Sequence, residues 1–249
     1  MEILKLEQLT KSFGELKAVN DFSAAFKENT INAVIAQNGA GKSTLFNLVT
    51  GRLKTTSGKV YFMDQEITNH QPHELVKKGI GRSFQITNIF RGLSTFENIR
   101  LGIISYRENS FDLLHNVDNL KNLEVEILEI LETVGLQGQR DNLAGLLSHG
   151  DQKRLEIALT LTTHPKLLLL DEPTAGMDPD ETRMLTQLIE TVAQKNNITV
   201  ILTEHDMEVV FSICKRILVM QYGSIIADGT EKEVKGDQRV REAYLGVEE

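Results

Sequence analysis

The residues best suited to chemistry stand in one short segment, Asn38-Gly39-Ala40-Gly41-Lys42-Ser43-Thr44, which follows an apolar run. Gly39 and Gly41 let the backbone turn tightly, so that its N–H groups can approach an anion. Lys42 adds a full positive charge toward the outer phosphates of a nucleotide, and the hydroxyl of Ser43 can ligate Mg2+. The segment therefore predicts a loop that binds a polyphosphate.

Two local elements must position this loop. The apolar residues 31–35 predict a strand that leads into it, and residues 43–49 predict a helix whose positive N-terminus points at the bound phosphates. Ala36 stands where a first glycine is commonest, and alanine fits that position when its φ is negative. A strand before the glycines and a helix after them favour a nucleotide site over an ordinary glycine-rich turn.

A second candidate group ends the apolar run at residues 167–170, which is typical of a strand buried on both faces of a parallel sheet. Asp171, at the carboxyl end of this strand, would lie beside the phosphate loop and could hold Mg2+ directly or through water. Glu172 points to the opposite side of the chain and is placed to polarise a water for attack on a γ-phosphate. The alternative is a simple strand-end turn, and the upstream phosphate loop favours the functional interpretation.

Two further positions are weaker when taken alone. Ser148 and Gly150 immediately precede a helix predicted over residues 151–162, so they form either an ordinary N-cap or a second helix start that contacts phosphate. His205 follows a buried strand predicted over residues 198–202. Ligands of parallel α/β sheets bind at the carboxyl ends of the strands, which makes this histidine a better candidate than an average one.

Composition limits the classes of protein that these residues can serve. The chain has 249 residues, of which 41% are hydrophobic and 25% charged, as in an ordinary soluble globular protein. The balance of 27 basic and 35 acidic residues argues against a surface that coats nucleic acid. The single cysteine, Cys214, cannot form an internal disulfide, which fits a reducing cytosol. No signal peptide and no stretch of about 20 apolar residues is found, so membrane work would require an embedded partner.

The secondary structure expected around these sites is strand-rich and antiparallel in the first quarter, with strands at residues 3–9, 19–26 and 59–62 and a turn at residues 11–14. Residues 86–145 predict helices, because apolar residues recur there at spacings of three and four. The second half alternates strands and helices, which indicates an α/β core. The elements expected there are helices at residues 180–195, 207–214 and 231–244 and strands at residues 217–220 and 224–227.

These motifs, in this order, resemble those of the ATP-binding subunit of an ABC transporter. Residues 38–44 resemble its Walker A motif, and residues 167–172 resemble Walker B followed by the catalytic glutamate. Residues 147–151 resemble the signature sequence LSGGQ, with His149 and Asp151 as departures. The remaining correspondences are Phe13 with the aromatic residue that stacks on adenine, Gln85 with the Q-loop glutamine, residues 175–178 with the D-loop including Asp178, and His205 with the switch histidine.

The resemblance implies one ABC nucleotide-binding domain over residues 1–249. Its fold would be α/β, with a P-loop NTPase (RecA-like) core, an N-terminal antiparallel β subdomain and an inserted helical subdomain. The core with the β subdomain would occupy approximately residues 1–85 and 150–249. The helical subdomain would occupy residues 86–149 and carry the signature motif at its end.

The cofactors implied by the resemblance are ATP and Mg2+. Two cassettes would close head to tail on two ATP molecules, and each ATP would meet the phosphate loop of one subunit and the signature residues of the other. The expected ATP contacts are Phe13, Asn38, Gly39, Ala40, Gly41, Lys42, Ser43, Thr44, Ser148 and Gly150. The expected metal-binding residues are Ser43, Gln85 and Asp171, and the expected catalytic residues are Glu172, His205 and Gln85.

Residues 147–158, 204–207 and 242–246 are similar to segments of importers for branched-chain amino acids and of related urea and amide importers. The implied function is ATP hydrolysis that powers import of branched-chain or other hydrophobic amino acids. The alternatives are a urea or amide importer and a lipopolysaccharide-type export ATPase, which shares the length and the order of motifs. A soluble non-transport ABC protein usually has two cassettes or a coiled-coil insert, and a P-loop kinase leaves the signature and His205 unexplained.

The resemblance also implies the partners and the location. The expected partners are a second ABC ATPase subunit, identical or related, and integral-membrane permease subunits, with a substrate-binding protein reached indirectly and no nucleic acid. The expected location is the cytoplasmic face of the inner membrane, as a peripheral subunit that is soluble when isolated.

Overall fold

The computed structural model describes residues 1–83, 89–107 and 117–242. Gln85, to which the sequence assigns a role, lies outside these residues, as does the segment from residue 243 to the C-terminus. The strands are β1 (Glu2–Phe13), β2 (Leu16–Lys27), β3 (Ile31–Ala36), β4 (Ser57–Phe62), β5 (Gln65–Glu66), β6 (Ile80–Arg82), β7 (Leu167–Asp171), β8 (Thr199–Thr203), β9 (Arg216–Gln221) and β10 (Ser224–Gly229). The α-helices of the described part are α1 (Lys42–Val49), α2 (Pro72–Lys78), α3 (Thr95–Tyr106), α4 (Val117–Val134), α5 (His149–Leu161), α6 (Pro179–Lys195), α7 (Met207–Ile213), α8 (Glu231–Gly236) and α9 (Gln238–Val240).

The strands of the described residues form two sheets. One is antiparallel with the order β2-β1-β4-β5, and the other has the order β10-β9-β3-β8-β7-β6. In the second sheet the pairs β9-β3, β3-β8, β8-β7 and β7-β6 are parallel, and only β10 runs antiparallel to its neighbour. Every residue of β3, β7 and β8 is buried, as expected for the centre of a parallel sheet covered on both faces.

Two apolar clusters cover the faces of the parallel sheet. One joins alternate residues of β3, β7 and β8 to the helices, with Ile127 and Leu131 of α4 among its fully buried members. The other joins the opposite faces of these strands to α1 and to the antiparallel sheet, through large buried side chains such as Phe22, Phe26 and Phe46. Because these strands are parallel neighbours, the carboxyl ends of β3, β7 and β8 lie together at one edge of a packed sheet.

The chain thus has the predicted α/β core with an N-terminal antiparallel sheet and a helical region between β6 and β7. The predicted division at residues 85 and 150 remains a prediction. Among the described helices, none combines the length and the apolar character that crossing a bilayer requires.

Some predicted boundaries are wrong. The turn expected at residues 11–14 is instead confined to the two residues after Phe13, because Ser12 pairs with Lys17 and Phe13 with Leu16 in the β1-β2 ladder. The last helix, expected over residues 231–244, is interrupted at Asp237. Asp237 has an extended backbone (φ −74°, ψ 122°) that ends the first helix, and its carboxylate caps the next one by accepting a hydrogen bond from the backbone N–H of Arg239.

Candidate nucleotide-binding site

The loop between β3 and α1 has the backbone geometry of an anion-binding turn. The N–H of Ala40 donates to the carbonyl of Gln37 at 3.1 Å, and Gly39 and Gly41 have φ values of +80° and +106°. A Cβ added to Gly41 would lie 2.0 Å from the carbonyl oxygen of Ala18, so this position requires glycine for space as well as for conformation. In the described part of the chain, α1 has no side-chain N-cap and no acidic residue in its first turn, which favours an anion there.

Ala36 fits the loop as predicted. It is the last residue of β3, in extended conformation, and pairs with Met220 of β9. Its carbonyl oxygen accepts a hydrogen bond of 2.5 Å from Nζ of Lys42. The alanine at this position therefore supports the lysine through its backbone.

Lys42 is a buried cation at the start of α1, with only 6% of its surface exposed. Besides the carbonyl of Ala36, its Nζ lies 3.3 Å from Nε2 of His205 and 3.9 Å from Oε1 of Glu172. Burial lowers the pKa of Lys42, while the carboxylates of Glu172, Asp171 and Glu204 oppose this shift. A polyphosphate would give this amine the close anionic partners that favour its charged form.

Asp171 lies at the carboxyl end of β7 and is 2% exposed. Its Oδ1 accepts a hydrogen bond from the Thr203 hydroxyl at 2.7 Å, and its Oδ2 accepts one from Arg82 at 3.0 Å. The sequence did not single out Arg82, because β6 is a three-residue strand and its pairing with β7 spans a long separation in the chain. No local sequence signal marks this contact.

Glu172 and His205 meet across the ends of two neighbouring strands. Nε2 of His205 lies 2.8 Å from Oε1 of Glu172, a hydrogen bond that forms when this nitrogen carries the proton. Glu172 has a φ of +50°, and its backbone N–H donates to the carbonyl of Thr203. Asp171 and Glu172 therefore have different side-chain partners, as expected for carboxylates that face opposite sides of the chain.

Glu204 holds these two strand ends together and was missed by the sequence reasoning. It is 3% exposed; its Oε1 accepts hydrogen bonds from the backbone N–H and the hydroxyl of Thr174, and its Oε2 accepts one from the N–H of His205. Burial raises the pKa of Glu204, and the hydrogen bonds from Thr174 and His205 oppose the rise. Its position beside His205 was visible in the sequence, but its partner 30 residues away was not.

The signature residues form a second group with the D-loop segment. The Ser148 hydroxyl caps α5 by accepting a hydrogen bond from the N–H of Asp151, so the helix begins at His149. Gly150 is packed against α6, because an added Cβ would lie 3.0 Å from Oε1 of Glu181. Asp178 caps α6 in turn, by accepting from the N–H of Glu181 at 2.8 Å. The contact of Gly150 with Glu181 therefore places the start of α5 against the first turn of α6, which Asp178 caps.

His149, one of the two departures from the signature pattern, belongs to the same group. Its Nε2 lies 3.4 Å from the carbonyl oxygen of Ala175, in the D-loop segment. With His149 in this position, Ser148 caps the helix and Gly150 is buried.

The other expected ligand contacts remain predictions. Phe13 is 49% exposed at the end of β1, where its ring is free to stack on a base, and Nζ of Lys11 lies 5.1 Å from the ring centroid. Asn38, Ser43 and Thr44 lie in the loop and the first turn of α1.

A magnesium ion fits the chemistry of this edge of the sheet. The described residues contain no group of three or more His, Cys, Asp or Glu side chains that could hold a metal by themselves. Mg2+ is usually bound by one or two carboxylates together with water and phosphate oxygens, so a single carboxylate such as Asp171 with the Ser43 hydroxyl is a sufficient protein contribution.

Comparisons with known proteins agree with this geometry. Residues 19–175 match the family model described as ABC transporter. The chain therefore belongs to the ABC transporter family, as one of its ATP-binding cassettes. Residues 224–249 match a second model, described as branched-chain amino acid ATP-binding cassette transporter. The family and the fold predicted from the motifs are thus confirmed.

Individual relatives cover almost the whole chain. It is 37% identical to the high-affinity branched-chain amino acid transport ATP-binding protein BraF of Pseudomonas aeruginosa, over 98% of both chains. It is 35% identical to the similarly described LivG of Escherichia coli, also over 98% of both chains. Among solved structures, the ADP conformation of the ATP-binding cassette MJ1267 is similar with a TM-score of 0.88 and 36% identity, over 99% of both chains.

Proposed function

We propose that this cassette hydrolyses ATP and powers an importer for branched-chain or other hydrophobic amino acids. The observation that carries the hydrolytic part is the contact between Glu172 and His205, beside the buried amine of Lys42. The substrate class is supported by the relatives, which are named as branched-chain amino acid transport proteins, and by the match at residues 224–249.

The reaction we infer uses each group for one task. The loop N–H groups and Lys42 bind the β- and γ-phosphates. Ser43 and Asp171 would hold Mg2+, which would supply positive charge beside the phosphates. The contacts of Glu172 with His205 and Lys42 both involve Oε1, so we assign Oε2 to orient and polarise the attacking water.

His205 has a positioning and an electrostatic task in this proposal. Its Nε2–H restrains the Glu172 carboxylate, and the ring lies close enough to Lys42 to approach the γ-phosphate on the same side. Gln85 keeps its predicted role as a sensor of Mg2+ and of the attacking water, although it lies outside the described residues.

The working unit we infer is a pair of cassettes, made of two copies or of two related chains. The contacts of Ser148 with Asp151 and of Gly150 with Glu181 do not involve Lys42, which is compatible with their serving the nucleotide of the second subunit. A solved relative with 26% identity and a TM-score of 0.77 is described as a dimeric ABC transporter cassette.

The partners we infer beyond the dimer are integral-membrane permease subunits, with a substrate-binding protein acting indirectly. The cassette would sit peripherally at the cytoplasmic face of the membrane. The net negative charge of the chain, with 35 acidic and 27 basic residues, argues against nucleic acid as a partner.

The decisive experiment replaces Glu172 by Gln. We expect ATP hydrolysis to fall by about 10²–10⁴-fold, the usual contribution of a positioned general base, while nucleotide affinity stays near that of the wild type. Phosphate release and equilibrium binding of a fluorescent ATP analogue measure the two quantities, and size-exclusion chromatography tests for an ATP-bound dimer.

A matched control is Glu208→Gln, at an exposed position in the first turn of α7. It removes the same charge from the neighbourhood and should leave turnover unchanged. Wild-type hydrolysis by the Glu172→Gln variant would refute the assignment. For the substrate class, vesicles containing the cassette and its permeases, supplied with the substrate-binding protein, should take up labelled leucine with ATP, and uptake of urea but not leucine would refute it.

A further inference from the structure

Arg82 connects the phosphate-loop helix to the carboxylate at the end of β7. Nη2 of Arg82 donates to Oδ2 of Asp171 at 3.0 Å, and Nη1 donates to Oδ1 of Asn47 at 2.7 Å and to the Thr50 hydroxyl at 3.3 Å. The guanidinium carbon lies 5.6 Å from the ring centroid of Phe46, on the same helix. Arg82 is therefore held in place by α1 while it faces Asp171.

The pair is taken out of water almost completely. The side chain of Asp171 is 1% exposed and that of Arg82 is 11% exposed. A buried carboxylate without a counter-charge is strongly unfavourable, and a hydrogen-bonded cation removes most of this penalty. Burial lowers the pKa of Arg82 and the charge of Asp171 opposes the shift, in keeping with mutual stabilisation.

The same carboxylate is the metal-binding group in the proposed function. We propose that Arg82 is the counterion of Asp171 and that its positive charge limits how much a divalent cation increases the affinity of the site for nucleotide. A cation that approaches Asp171 shares the carboxylate with the guanidinium and is repelled by it. The inference rests on the proposed metal role of Asp171 and assigns Arg82 as a positioning and affinity-setting residue.

The test measures ADP affinity of the intact chain with excess MgCl2 and with EDTA, using a fluorescent ADP analogue. The quantity of interest is the ratio of the two dissociation constants, EDTA over Mg2+. Arg82→Gln should raise this ratio roughly tenfold, the lower end of the effect that a charge within about 4–6 Å has on the proton affinity of a carboxylate. No step of hydrolysis enters this readout.

Neighbouring variants separate charge from geometry. Asn47→Ala removes a partner of Arg82 without changing charge, so it should leave the ratio within about twofold of wild type if electrostatics dominates. Asn47→Asp keeps the shape, adds a negative charge beside the guanidinium and should raise the ratio about threefold or more. It also tests the inference independently if Arg82→Gln fails to fold.

The outcomes are distinct from those that test the proposed function. An unchanged or lower ratio in Arg82→Gln, or in Asn47→Asp where Arg82→Gln is unfolded, overturns the counterion role. An equal rise in Asn47→Ala also overturns it, because geometry alone would then account for the effect. Failure of the wild-type chain to bind ADP at all would instead reject the nucleotide site.

Discussion

Gly41 and Gly39 provide a comparison within one loop. Both have positive φ, but an alanine Cβ at Gly41 would lie 2.0 Å from the carbonyl oxygen of Ala18 and 3.1 Å from Cε of Met220. At Gly39 the same atom would have nothing within 4 Å. Gly41→Ala therefore combines backbone strain with a clash against the backbone of β2, whereas Gly39→Ala carries the strain alone.

The magnitudes follow from these two terms. A left-handed conformation costs a residue with a Cβ about 1–2 kcal/mol, which applies to both variants. Forcing an extra carbon into a filled space costs about 1–3 kcal/mol more, because β2 or the start of α1 must move. We expect a loss of about 2–5 kcal/mol in the free energy of unfolding for Gly41→Ala and about 1–2 kcal/mol for Gly39→Ala.

Urea denaturation of the nucleotide-free chain measures these losses, and titration with ADP measures the consequence for the site. Because Lys42 directly follows Gly41, a shift of the helix start should also weaken ADP binding more in Gly41→Ala than in Gly39→Ala. Equal destabilisation by both substitutions, or wild-type ADP affinity in Gly41→Ala, would refute this reasoning.

Two further predictions concern the remaining contacts of the nucleotide. Lys42→Ala should weaken ATP binding about 10–100-fold, the value of a charge-assisted hydrogen bond, while the exposed Lys195→Ala should not; unchanged affinity would remove Lys42 from the site. Ser148→Arg should block hydrolysis without changing ATP affinity of the isolated subunit. Ser148→Ala is the control, because it loses the same helix cap, at a cost of about 1 kcal/mol in stability, without adding bulk. Normal hydrolysis by Ser148→Arg would contradict the shared site.

The phosphate loop was predictable because its chemistry is local. Its glycines, lysine and serine are contiguous, and the flanking strand and helix follow from the neighbouring apolar pattern. The candidate metal carboxylate was predictable for a related reason, since Asp171 closes a run of leucines that only a buried strand explains. The sequence left Ser148 open between a helix cap and a phosphate contact. The hydrogen bond from Asp151 shows the cap, and the phosphate contact stays a prediction.

Boundaries were less predictable where pairing or a competing cap decides them. β1 and β2 continue to Phe13 and from Leu16 because cross-strand pairing extends beyond the apolar pattern. The helix expected through residue 244 ends before Asp237, where the backbone is extended and the side chain caps the next helix. The spacing of apolar residues in the sequence does not indicate this break.

The sequence by itself predicted a nucleotide site at residues 39–43, and it placed Asp171, Glu172 and His205 at or just past the ends of buried strands. Only the tertiary structure decided which side chains meet there. The contact of Arg82 with Asp171 and the bridge that Glu204 makes to Thr174 depend on the order and register of β6, β7 and β8. Each contact joins residues far apart in the chain. The physical reason is that a buried charge needs a close partner, and the packing of the strands determines which residues are close.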